Sequence, residues 1–95
     1  MPPETYTEIV HRFVVEYLED LPAEHRAQML INGIDPANNW QLSWSFEDLA
    51  DAERVMKADA LWYKNFCASR GYAEAKKYRV RDLGATQYIE RSVMF

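Results

Sequence analysis

Between residues 40 and 46, Trp40, Leu42, Trp44 and Phe46 alternate with Gln41, Ser43 and Ser45. A two-residue period of this kind gives an extended strand one packed and one wetted face. Past Phe46 the period lengthens. Leu49, Ala52, Met56, Ala60, Tyr63 and Cys67 recur at spacings of three and four, with Val55, Trp62 and Phe66 widening the stripe, the signature of an amphipathic helix. Ser45 with Asp48 forms a capping-box pattern, Trp44 and Leu49 are placed as a hydrophobic staple, and Gly71 supplies a left-handed stop. The spacing predicts a strand over 40–46 that runs directly into a helix ending at about residue 70.

Ahead of this unit, Tyr6, Ile9, Val10, Phe13, Val14, Tyr17 and Leu18 make one broad apolar face and Glu8, Arg12, Glu16 and Glu19 the other. This predicts a helix from residue 4 or 5 to about 20, with Pro2 and Pro3 as breakers before it. A rival pattern runs through the same residues, since Phe13, Val15 and Tyr17 alternate within a β-branched cluster. The helical period covers more positions and is preferred. Pro22 restarts a short second helix to about Ile31, stopped by Asn32-Gly33, with Ile34 placed to pack across the cap. Residues 35–39 have turn chemistry and mark a seam.

Residues 72–77 form a connector, after which Tyr78 and Val80 alternate with Arg79 and Arg81. Leu83-Gly84-Ala85-Thr86 reads as a turn. The chain then returns over 87–95, with Ile89, Val93 and Phe95 on one face and Tyr88 and Met94 on the other, completing a predicted β-hairpin. The fold class expected is α+β in a single domain, 1–95. A helical hairpin over 1–34 precedes a β-α-β-β unit over 40–95, whose three-stranded, mainly antiparallel sheet packs on the long helix.

Hydrophobic residues make up 48% of the 95, enough for a packed core and against global disorder. Cys67 is the sole cysteine, so no internal disulfide forms. Its place on the apolar stripe reads as a small buried hydrophobe, which suits a reducing compartment. No apolar run approaches the roughly 20 residues of a membrane span, and Met1-Pro2-Pro3-Glu4 is unlike a signal peptide. A cytoplasmic protein with no membrane partner is expected. His11 and His25 stand outside any metal-ligand spacing, Ser43 and Ser45 have ordinary strand and cap roles, and Gly33, Gly71 and Gly84 sit at stops or turns rather than in a phosphate loop. Neither a cofactor, a metal nor a catalytic residue is expected.

Charge carries more information. The net charge is −4, yet residues 1–53 hold eleven carboxylates against Arg12 and Arg26, while residues 54–95 hold nine lysines and arginines against four carboxylates. If the halves occupied different faces, each would attract a partner of opposite sign, or a second copy of the chain. If they interleaved, the charges would only keep the surface wet. The acidic candidates are Glu8, Glu16, Glu19, Asp20, Glu47, Asp48 and Asp51, suited to a basic protein groove. The basic candidates are Arg70, Lys76, Lys77, Arg79 and Arg81, close to Tyr72, Tyr78 and Tyr88, a mixture that phosphate contact and base stacking use.

The run from Trp44 through Ser45, Phe46, Glu47, Asp48, Leu49, Ala50, Asp51 and Ala52 to Glu53, followed later by Tyr78-Arg79-Val80-Arg81-Asp82, resembles the strand, acidic long helix and closing hairpin of small phage or mobile-element accessory proteins, anti-CRISPR inhibitors among them. The resemblance covers about half the chain and carries over no site residue. It implies a stoichiometric binder that blocks a host defence complex dependent on nucleic acid. The sequence therefore leads to a non-catalytic protein-binding module acting through charged surfaces, with a homodimer as a further expectation. The alternative is a small nucleic-acid-binding regulator that uses the basic hairpin.

Overall fold

Thr5, Thr7, Ile9, Val10, Val14 and Val15 are β-branched, and Tyr6, Phe13 and Tyr17 interleave with them. Such side chains lose rotamer freedom in a helix and pack well on a pleated surface. In the computed structural model of the chain, which describes residues 4–93, they form two strands, β1 (Glu4–Val10) and β2 (Phe13–Glu19). The predicted N-terminal helix, and the helical hairpin built on it, are corrected: the rival strand pattern prevails. Pro2 and Pro3, and the expected end of the last strand at Met94 and Phe95, lie outside the described residues.

The misleading helical period has a physical origin. Val14, Val15 and Glu16 are consecutive and all buried, and neighbours in a strand point to opposite faces. β2 is thus covered on both sides, and a strand buried on both sides no longer alternates.

Among the described residues, five strands make two antiparallel sheets. β2 is the centre of a three-stranded sheet, flanked by β3 (Gln41–Phe46) and β4 (Lys76–Asp82). Among the described residues, β1 pairs only with β5 (Gln87–Val93). The predicted hairpin between residues 78–82 and 87–95 is therefore corrected as well. Leu83 to Thr86 do not reverse the chain onto itself: β4 runs along β2, and β5 continues along β1. At this corner Arg12 and Asp82 face each other, Leu83 donates its N–H to the Arg12 carbonyl at 2.8 Å, and the left-handed Gly84 (φ 84°) directs its N–H to the Asp82 carboxylate at 2.8 Å. Two long bent strands, 4–19 and 76–93, thus form one interrupted ribbon.

The long helix stands as expected, α2 spanning Leu49–Arg70. Its cap is Asp48, whose carboxylate accepts the Ala50 N–H at 2.9 Å. The expected cap, Ser45, instead accepts the His11 N–H at 3.0 Å. Gly71 ends the helix in the left-handed region at φ 70°, and the Tyr72 N–H closes on the Cys67 carbonyl at 2.9 Å. The stripe holds in part: Ala52 and Cys67 are fully buried against the three-stranded sheet, while Leu49 at its start and Trp44, the pair expected to form a staple, both stay exposed. Tyr63 of the helix meets Tyr78 of β4, which in turn meets Tyr17 of β2, at ring separations of 6.3 and 6.4 Å. Phe13, Val15 and Tyr17, with Tyr78 and Val80, line this helix-facing side.

β3 breaks the strict alternation read from 40–46. Trp44 pairs with Val15 but Leu42 pairs with Glu16, leaving Ser43 as a bulge. The bulge moves Leu42 to the far face from Trp44, so the single apolar face expected of that strand does not exist. The short helix α1 (Ala23–Ile31) follows Pro22 and stops at Asn32 and the left-handed Gly33, as its sequence indicates. A 3-10 turn at Pro36–Asn38 leads to β3. Among the described residues α1 buries no side chain.

Destabilisation should follow these burials. In urea unfolding, Val15→Ala is expected to cost about 2 kcal/mol and Gly71→Ala about 1 kcal/mol, whereas Ile31→Ser on the exposed end of α1 should stay within about 0.5 kcal/mol.

Candidate functional site

The strand registers bring the two charged halves of the sequence together. Glu16, on the face of the sheet away from α2, lies opposite Arg79 in the register. Its side chain is 6% exposed, and its carboxylate accepts three hydrogen bonds at 3.0 Å: one from Arg79 Nε, one from Arg81 Nε and one from an Arg81 terminal nitrogen. The Arg79 guanidinium stacks 4.0 Å from the centre of the Trp40 ring. A carboxylate so occupied has few acceptor positions left for an outside partner. Glu16 is therefore no part of an open acidic face, and Arg79 and Arg81 are not free cations of a basic hairpin.

The same interleaving recurs along the ribbon. Glu8 of β1 is paired with Arg91 of β5. Arg12 grips Asp82 through two bonds of 2.8 and 2.9 Å, and its guanidinium lies 4.9 Å over the Phe13 ring. The other acidic candidates scatter. Asp20 approaches Arg26 at 3.5 Å, Asp51 approaches Arg54 at 3.3 Å, Asp48 caps α2, and Glu47 lies 3.5 Å from His11 Nδ1. Glu19 remains exposed at the end of β2, opposite Lys76. Of the basic candidates, Lys77 is exposed, Lys76 sits 5.0 and 5.3 Å over the rings of Tyr17 and Tyr63, and Arg70 lies 5.2 Å over Phe66.

Chemistry-bearing groups stay apart. Cys67 is buried beneath α2. His11 Nδ1 is enclosed without a hydrogen-bond partner, and Glu47 is the carboxylate nearest to it. Among the described residues no group of three or more histidine, cysteine, aspartate or glutamate side chains converges as a metal site would require. An open cleft of about 440 Å³ lies where the end of β2 meets α1 and the start of β4, with Glu19, Asp20, Arg26, Glu74, Lys76 and Lys77 on its walls. Its signs are mixed, with no preference for an anion or a cation.

What the sequence reading missed is on α2. Trp62 was placed on the flank of the core stripe, yet it is 66% exposed. It stacks nearly parallel on Phe66 with ring centres 5.3 Å apart, and Phe66 continues to Tyr72 at 6.3 Å. With Arg70 over Phe66 and the exposed Leu61 beside Trp62, this forms an aromatic ridge along the last turns of the helix. The sequence signal was there: Trp62 and Phe66 lie four apart, hence on one line of the helix, and are offset from Tyr63 and Cys67, which point to the core.

No helix among the described residues is long and apolar enough to cross a membrane. No protein-family model, curated protein or solved structure matches the chain.

The corner predicts an acid response. The Arg12 bond, supported by the Gly84 N–H, holds the Asp82 carboxyl at about 2, well below the usual carboxylate range. A folded-state pKa depressed in this way contributes stability that is present above the unfolded value near 4 and is lost as pH falls through about 2. Urea midpoints measured between pH 5 and 2 should fall more steeply for the parent than for Asp82→Asn.

Proposed function

We propose that this chain is a non-catalytic protein-binding module whose contact surface centres on the aromatic ridge of α2. The observation that carries the reading is one stacked array in which Trp62, Tyr72 and Arg70 are exposed and the half-buried Phe66 joins them. Tryptophan, tyrosine and arginine supply much of the binding energy at protein interfaces: the two aromatic residues bury a large rigid area for few rotatable bonds, and arginine adds a planar cation with several donors. Stacking within the ridge fixes the rings before a partner arrives, which lowers the ordering cost of association.

Charge enters differently from the sequence expectation. Glu8 and Glu16 are held by arginines of the same chain, so an acidic docking face built on them has lost two of its members. The narrower reading, an inhibitor of phage type that occludes a host complex dependent on nucleic acid, is supported by the resemblance of residues 44–53 and by the net charge of −4. The closing hairpin in that resemblance is replaced here by pairing with the first strands. A second reading, nucleic-acid binding, draws on Arg70 in the ridge and on Lys76 and Lys77 of β4, since stacked rings and cations also suit single strands.

Immobilised chain exposed to native-host extract, followed by titration of the purified retained protein, separates these readings. Trp62→Ala combined with Phe66→Ala should weaken the protein complex at least tenfold, about 1.4 kcal/mol or more, while the far-ultraviolet dichroism stays unchanged. Undiminished binding by that variant would contradict the proposal. So would tight, steeply salt-dependent binding of single-stranded probes that is lost on Arg70→Glu with Lys77→Glu.

A further inference from the structure

The ribbon formed by β1 and β5 has little packed on it beyond the buried Val10. Each strand is seven residues long and pairs with the other over its whole length. Among the described residues no other element packs extensively on either of them. Tyr6, Ile9 and Tyr88 stay exposed on it, Tyr88 at 71%. A two-stranded ribbon alone is marginal in water and gains stability from a third strand. The chain is also extended for its length, with a radius of gyration of 16.4 Å against about 12 Å for a compact domain of 95 residues.

The open strand edges differ in how they are protected. β4 carries Lys76, Lys77, Arg79, Arg81 and Asp82, and β3 is interrupted by its bulge at Ser43, both devices that discourage strand addition. β1 has neither bulge nor proline, and its sequence, Glu4-Thr5-Tyr6-Thr7-Glu8-Ile9-Val10, is rich in strand-forming residues. We infer that a second copy of this chain pairs along the free edge of β1, antiparallel about a two-fold axis at Thr7, to make a four-stranded sheet from two ribbons.

Self-complementarity selects this edge. Full overlap of β1 with its copy sets Thr7 opposite Thr7, Tyr6 opposite Glu8, Thr5 opposite Ile9 and Glu4 opposite Val10. Every pair shares a face, and no like charges stand directly across. The two Glu8 side chains meet only diagonally, and each is already neutralised by its own Arg91. Full overlap of β5 on its copy would centre on Glu90 and set two carboxylates against each other, an unfavourable pair. Head-to-tail addition of β1 on β5 would not close and would grow into fibres.

Light scattering coupled to size exclusion, with loadings from about 1 to 100 µM to span the association equilibrium, tests this. The parent should approach twice the 11.2 kDa chain mass as concentration rises. Thr7→Lys and Thr7→Glu each place like charges across the axis and should raise the dimer dissociation constant at least tenfold. An equimolar mixture of the two variants should recover the dimer, which a folding defect in either would not allow. A parent that stays monomeric throughout, variants that dimerise as well as the parent, or a mixture that fails to recover would each overturn the inference.

Discussion

Glu16 sits in the middle of the central strand, almost out of water, with two arginines of β4 closing on its carboxylate. Burying a lone carboxylate costs several kcal/mol, and three charge-assisted bonds offset that cost only when both strands lie in one register. A slip of one residue would turn Glu16 into the aromatic side under α2, where Tyr17, Tyr63 and Tyr78 meet, and would leave Arg79 and Arg81 without their acceptor. The network thus defines how the first and last parts of the chain pair, more than it adds to net stability.

This constraint explains the lopsided distribution of charge along the sequence. Acidic residues of β1 and β2 meet basic residues of β4 and β5: Glu16 with Arg79 and Arg81, Glu8 with Arg91, and Glu19 across from Lys76. Arg12 and Asp82 repeat the theme with signs exchanged at the corner. Part of the split that suggested two opposed docking faces goes into holding strands together. Apolar side chains are what the fold leaves open, on the ridge of α2 and along the ribbon of β1 and β5.

The long helix of the second half was legible because its period is clean. Within Leu49–Arg70 the stripe buries Ala52 and Cys67, and Gly71 takes the left-handed cap that only glycine adopts cheaply. The first half was not, because β2 is covered on both faces and Val14, Val15 and Glu16 form a buried run that mimics a helical stripe. The β-branched density of residues 5–15 was the better signal. Neither the bulge at Ser43 nor the collinear course of β4 and β5 has a local signature, since Leu83 to Thr86 carry the residues of a turn whether the chain reverses or bends around a corner. Of the candidate site residues, their chemistry was visible while their pairing was not: Glu16 and Arg79 are 63 residues apart, and only the sheet brings them into contact.

A double-mutant cycle on Glu16 and Arg81 tests most directly whether their interaction organises the sheet. Unfolding free energies of the parent, Glu16→Ala, Arg81→Ala and the double variant should differ from additivity by about 1–2 kcal/mol, discounted for the half-exposed arginine, with Glu16→Ala alone costing the most because it strands two guanidinium groups. Additivity within about 0.5 kcal/mol, or a Glu16→Ala protein as stable as the parent, would contradict it.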